Sequence, residues 1–260
     1  MPATTRPIGT TRPARAVDVP AFTRVLTREL GALWTSHPHP RPHTVVGVSG
    51  IELRIARAAE RGTVTIRCAL PDRAARFVRH GGPDWDAAHA EATIPADLPA
   101  AEVAALVERR LLPGLKAALE RANAALATHD DLARAARPNA PLTTDLLVDL
   151  GVLVLAARHG LHAEAARADG PVPDVVAIDG LCDDKGRPFP TDQRDPRAAH
   201  VRLRGLYGAA DRTLSLPQAY ADYRMGRLVL LTEATRRSTA TPEPATDNQT
   251  PPTTEGNTTP

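Results

Sequence analysis

An α+β fold, in which an antiparallel hairpin or sheet is packed by amphipathic helices and followed by a second small mixed α/β region, is what the hydropathy pattern of this chain predicts. Three observations carry that expectation. Apolar and polar residues alternate strictly on both sides of Ala58-Ala59-Glu60-Arg61-Gly62, the pattern of a β-hairpin with one apolar and one wet face. Val103, Leu106, Val107, Leu111, Leu115, Leu119 and Leu126 recur at helical spacing between Ala100 and Ala127. The order helix, hairpin, strand, helix is that of helices laid on the apolar face of an antiparallel sheet.

The elements follow in chain order. Pro20 to Trp34 places Phe22, Val25, Leu26, Leu30 and Leu33 on one helical face and is stopped by His37-Pro38-His39-Pro40-Arg41-Pro42. Thr44 to Val48 reads as a strand, Ile51 to Ile55 and Val64 to Leu70 as the hairpin, and Ala92 to Ile94 as a short strand after a Gly81-Gly82-Pro83 break. Pro113 interrupts the long helix. Its ring removes a hydrogen bond and meets the carbonyl of Arg109, so a kink or a new helical start is expected there. Pro138 and Pro141 mark a boundary, after which Thr143 or Thr144 caps a helix running through Arg158, with Gly160 as its left-handed stop. Val175 to Ile178, His200 to Tyr207 and Arg227 to Leu231 read as strands, Asp183 to Gly186 as a turn, and Ser215 to Met225 as a short helix.

This gives a basic tail at 1–17, an α+β domain at 18–136, a mixed region at 142–236 and a Thr- and Pro-rich acidic tail at 237–260. Both tails are expected to be disordered, because neither holds enough apolar surface to offset the entropy of ordering.

Composition excludes several classes of function. Basic and acidic side chains number 32 and 30, so no overall positive field drives nucleic-acid binding, and any such role must be local. Lys116 and Lys185 are the only lysines, and an arginine excess beside abundant alanine and 25 prolines is what GC-rich codons produce. Cys68 and Cys182 are too far apart for a CxxC motif. No secretory leader is recognisable, and Leu142 to Ala157, the most apolar stretch, is broken by Asp145 and Asp149 and is too short to span a bilayer of ~30 Å. A cytoplasmic protein without a membrane partner is the expectation.

Four constellations carry chemistry. His159, His162, Asp179, Cys182, Asp183 and Asp184 include metal-ligating types but lack zinc spacing, and Gly160 breaks the helix between the histidines. Solvated loop residues are the expectation there, with no metal and no cofactor. Asp145 and Asp149 stand one turn apart like paired catalytic carboxylates, but they read better as the wet stripe of an apolar helix. His37, His39 and His43 sit in the proline run, which reads as a linker. Arg54, Arg57, Arg61, Arg67, Arg73, Arg76 and Arg79 cluster on and after the hairpin, and Arg54, Arg67, Arg73 and Arg76 are the candidate phosphate-tracking residues. Phe77 is the only aromatic there, which disfavours base stacking. The phosphate-loop, dinucleotide-binding, nucleophile-elbow and zincin motifs are absent.

At Glu108-Arg109-Arg110-Leu111-Leu112-Pro113-Gly114-Leu115 the chain resembles a segment recurring in uncharacterised proteins of phages and mobile elements of high-GC bacteria. The resemblance covers residues 44–127 and implies no activity. The functional expectation is therefore a non-enzymatic protein acting through a protein partner or self-association. Nucleic-acid binding through the four arginines is the alternative, and a metal- or carboxylate-dependent hydrolase centred on residues 145–184 is the third.

Overall fold

The computed structural model describes residues 17–37, 43–167, 172–190 and 195–231. The expected tails lie outside the described residues except for Val17, which packs on the first core and whose carbonyl accepts from Arg57 Nε at 3.1 Å. The fold is α+β and comprises two five-stranded antiparallel sheets with helices.

Helix α1 (Val19–Leu30) starts at Asp18, whose side chain accepts from the Ala21 amide, and buries Val19, Thr23, Leu26 and Leu30. It ends earlier than the apolar spacing suggests, because Gly31 adopts φ +91° and turns the chain. Trp34 therefore opens strand β1 (Trp34–His37) instead of closing the helix. Strand β1 pairs antiparallel with β2 (His43–Gly47), and residues 38–42 of the proline run between them, read as a linker, lie outside the described residues. The Trp34 ring lies over Gly47, its register partner, where any side chain would meet it at 3.2 Å.

Strands β3 (Glu52–Arg57) and β4 (Thr63–Ala69) form the expected hairpin, burying Leu53, Ile55, Val64, Ile66 and Cys68. Gly62 at φ +79° supplies the left-handed residue of the turn. Two short helices follow, α2 (Asp72–Ala75) and α3 (Pro83–Ala88). The Gly-Gly-Pro segment expected to be a break instead opens α3 with proline in its first turn. Strand β5 (Glu91–Pro95) completes the sheet in the order β1-β2-β3-β4-β5.

The long helical span is divided as its proline dictates. Helix α4 (Ala100–Leu106) passes through a π turn at Val107–Leu111 into α5 (Leu112–Ala135), with Pro113 in the first turn of α5. The missing proline donor makes the wider turn the cheapest accommodation. Helix α5 carries Leu115, Ala118, Leu119 and Ala122 into the first core, while Leu132 and the following Ala136 pack in the second.

Beyond the connector, α6 (Thr144–Arg158) is capped by the Thr143 hydroxyl, which accepts from Leu146 N, and is followed by Gly160 at φ +61°. Strands β6 (His162–Ala165), β7 (Asp174–Cys182), β8 (His200–Gly205) and β9 (Arg212–Ser215) precede α7 (Leu216–Arg224) and β10 (Leu228–Leu230). They form a sheet in the order β10-β6-β7-β8-β9. Strands β6 and β9 were not expected from the sequence. Ser215 and Gln218 close a reciprocal capping box at the start of α7. One buried guanidinium ties this half to the connector: Arg197 donates to Asp195, to the Ala140 carbonyl at 2.8 Å and to the Pro138 carbonyl.

Candidate functional site

The four predicted arginines do not form one free cationic surface. Arg54 and Arg67 are register partners on the wet face of the hairpin. Arg54 donates to Glu52 at 2.9 and 3.0 Å, and Arg67 to Glu91 at 2.8 and 3.1 Å. Arg73 reaches from α2 to Asp130 of α5 at 3.3 Å. Only Arg76 of the four lacks a carboxylate partner among the described residues, and it lines a cleft beside α5. The chain-local cluster is thus three neutralised pairs and one open guanidinium.

Around that cleft the structure brings together residues that are remote in sequence. The Arg227 guanidinium lies 4.6 Å from the Phe77 ring centroid, donates through Nε to Asp222 at 3.0 Å, and donates through Nη1 to the Arg76 carbonyl. His129, buried on α5, meets Phe77 edge-on at 5.4 Å, and its Nε2 lies 3.3 Å from the same Asp222 carboxylate. This is a cation–π and ion-pair lock that joins the segment after α2 to α5 and α7. Sequence reading missed it because Phe77, His129, Asp222 and Arg227 share no local motif.

Helix α6 leaves Asp145 exposed in its first turn, as expected, and corrects the reading of Asp149. Asp149 does not mark a wet stripe: it is mostly buried against α7, where Arg224 donates to it at 3.1 Å. The face open to solvent is instead apolar, with Leu147 at 52% exposure, Val148 at 60% and Leu155 at 53%. Gly151 lies between them, and a Cβ placed there would meet nothing within 4 Å. From Leu150 to Ala157 the helix carries no polar side chain on any side, a character expected of one buried on every side, yet only one side is covered.

The histidine, cysteine and aspartate set separates in space. His162 pairs with Ala177 in the sheet, Cys182 is buried, Asp183 holds Arg187 and the turn amides of Lys185 and Arg187, and Asp179 faces Arg204 at 3.6 Å. Among the described residues no three His, Cys, Asp or Glu side chains converge to hold a metal ion. His162 was expected in a solvated loop and lies instead in β6. His37 and His43 belong to paired strands, and His39 lies outside the described residues.

No helix of the described residues is long and apolar enough to cross a membrane. Comparison with protein-family models, with curated proteins and with solved structures finds no match for the chain.

Proposed function

We propose that this protein acts by assembly, and that a second copy of the chain covers the open face of α6. The observation that carries this reading is the spacing of that face. Leu147, Gly151 and Leu155 form one i, i+4, i+8 ridge, and the ridge is symmetric about Gly151. A two-fold axis through Gly151 would set Leu147 of each copy against Leu155 of the other, which is the self-complementarity an isologous contact requires. Ridges of this kind interdigitate at a crossing angle near −50°.

The glycine supports the same reading. In a helix interior glycine costs roughly 1 kcal/mol relative to alanine, and neither its backbone nor its intramolecular neighbours need it here. A close approach by a second helix would use its missing side chain. The open face carries no charge between Asp145 and Arg158, since Asp149 is turned to Arg224, so two copies meet without like-charge repulsion.

Size sets the strength. A helix of 15 residues is about 22 Å long, and one face of it is smaller than the roughly 800 Å² per partner of a stable interface. The association is therefore weak, with a Kd of about 10–100 µM. Sedimentation of the full chain across that range tests it, with Leu147→Glu and Leu155→Glu as the disrupting pair. Nucleic-acid binding through Arg54, Arg67, Arg73 and Arg76 is the weaker reading, because three of those guanidiniums would first have to leave a carboxylate.

A further inference from the structure

The described lining of the cleft beside Phe77 has one electrostatic sign. Its volume is about 650 Å³, and among the described residues its ionisable lining consists of Arg76, Arg79, His80, Arg167 and Arg227, with no carboxylate contributing. That volume is in the range of pockets that take a drug-sized molecule. Two acids close to the cleft are already shared. Asp222 accepts from Arg227 and lies against His129, while Asp174 accepts from Arg212 and lies 3.5 Å from Arg167. Among the described residues Arg76 and Arg79 make no ion pair. A concave wall that concentrates guanidinium groups in this way focuses positive potential into the cleft.

Arg227 is also held in place. Phe77, Asp222 and the Arg76 carbonyl fix its plane, and its side chain is only 18% exposed. Its Nη2 amino group has no hydrogen bond to a protein acceptor among the described residues. A planar donor group fixed in advance loses little freedom on receiving an oxyanion, and guanidinium forks match phosphate geometry.

We propose that this cleft binds a small soluble molecule carrying two or more adjacent phosphate groups. Several guanidiniums in one cleft exceed what a monoanion would use. A single nucleic-acid strand fits less well, because it needs open aromatic faces. Phe77 is occupied by Arg227 and His129, and Trp85 is stacked on His89 at 3.8 Å and met by the tilted ring of His80 at 4.3 Å.

The test is calorimetric titration of the full chain with inorganic pyrophosphate, repeated on Arg76→Ala/Arg79→Ala and on Arg54→Ala/Arg67→Ala. All four side chains are exposed, so both variants keep the fold, which circular dichroism checks. The expected result is one site per chain, weakened at least tenfold by the first pair and unchanged by the second. Absence of binding at about 50 mM salt overturns the proposal, as does equal weakening by both pairs. Binding of a single-stranded oligonucleotide that pyrophosphate does not displace also overturns it, in favour of a nucleic-acid surface.

Discussion

Arg54 and Arg67 stand directly opposite each other across β3 and β4, and each guanidinium is turned to its own carboxylate, Glu52 on the same strand and Glu91 on the next. Like charges in register destabilise a sheet, and the two glutamates offset that cost. The double substitution Glu52→Gln/Glu91→Gln is expected to lower stability by roughly 0.5–1 kcal/mol at low salt and by less at high salt. Urea unfolding at the two ionic strengths measures the difference. An unchanged midpoint would mean that the pairs contribute nothing.

Arg197 anchors the connector to the second half, and its guanidinium holds the Asp195 carboxyl below the usual carboxylate range, the hydrogen bond outweighing the opposing effect of burial. A lowered folded-state value stabilises above the unfolded value of about 3.9 and ceases to do so as pH falls below it. Unfolding free energy should therefore drop on acidification below about pH 4. Asp195→Asn should remove that part of the slope. Arg197→Leu leaves the Pro138 and Ala140 carbonyls without their donor and should cost on the order of 2–4 kcal/mol, read from the urea midpoint.

Cys68 lies in the core of the hairpin sheet, and burial pushes its thiol up to about 11. Cys182 is buried as well, so the native protein should react with a thiol reagent at neither site until it unfolds. Because the folded thiol keeps its proton while the unfolded one ionises, this residue's contribution to stability is complete below about pH 8.5 and declines as pH rises toward 11. Cys68→Ala should flatten that alkaline limb.

Gly205 ends β8 against the following turn, and a Cβ there would fall 1.8 Å from the Ala209 carbonyl oxygen. Its amide also donates to Asp211. Gly205→Ala must move backbone and is expected to cost about 3 kcal/mol or more. Thermal unfolding of that variant beside Gly62→Ala, which lies in open space but has a positive φ, would separate a clash from simple conformational strain.

Much of the fold was legible in the sequence because long elements repeat their period many times. The β3–β4 hairpin, α5 with its interruption at Pro113, and α6 with its Thr143 cap and Gly160 stop all announce themselves locally. Strands β6 and β9 have four residues each, too few for an alternation to register. Helix α3 was hidden behind two glycines and a proline that normally mark a loop. The functional surfaces were harder to read, because distant partners decide them. Asp149 looks like a solvent-facing residue until Arg224, 75 positions later, turns it inward, and that leaves Leu147 and Leu155 of α6 outside. The basic cleft joins Arg76 and Arg79 to Arg167 and Arg227, a proximity no spacing rule contains.

Self-association through α6 is tested most directly by sedimentation equilibrium of the full chain from about 1 to about 300 µM, a range spanning the expected Kd. The mass should rise from 27.7 kDa toward twice that value, and Leu147→Glu/Leu155→Glu should stay monomeric with an unchanged circular dichroism spectrum. Gly151→Ala should raise the unfolding temperature of the monomer while weakening the dimer at least threefold, since the methyl group helps the helix and obstructs its partner. A wild-type chain that remains monomeric throughout, or a double variant that associates as well as wild type, would contradict assembly through this face.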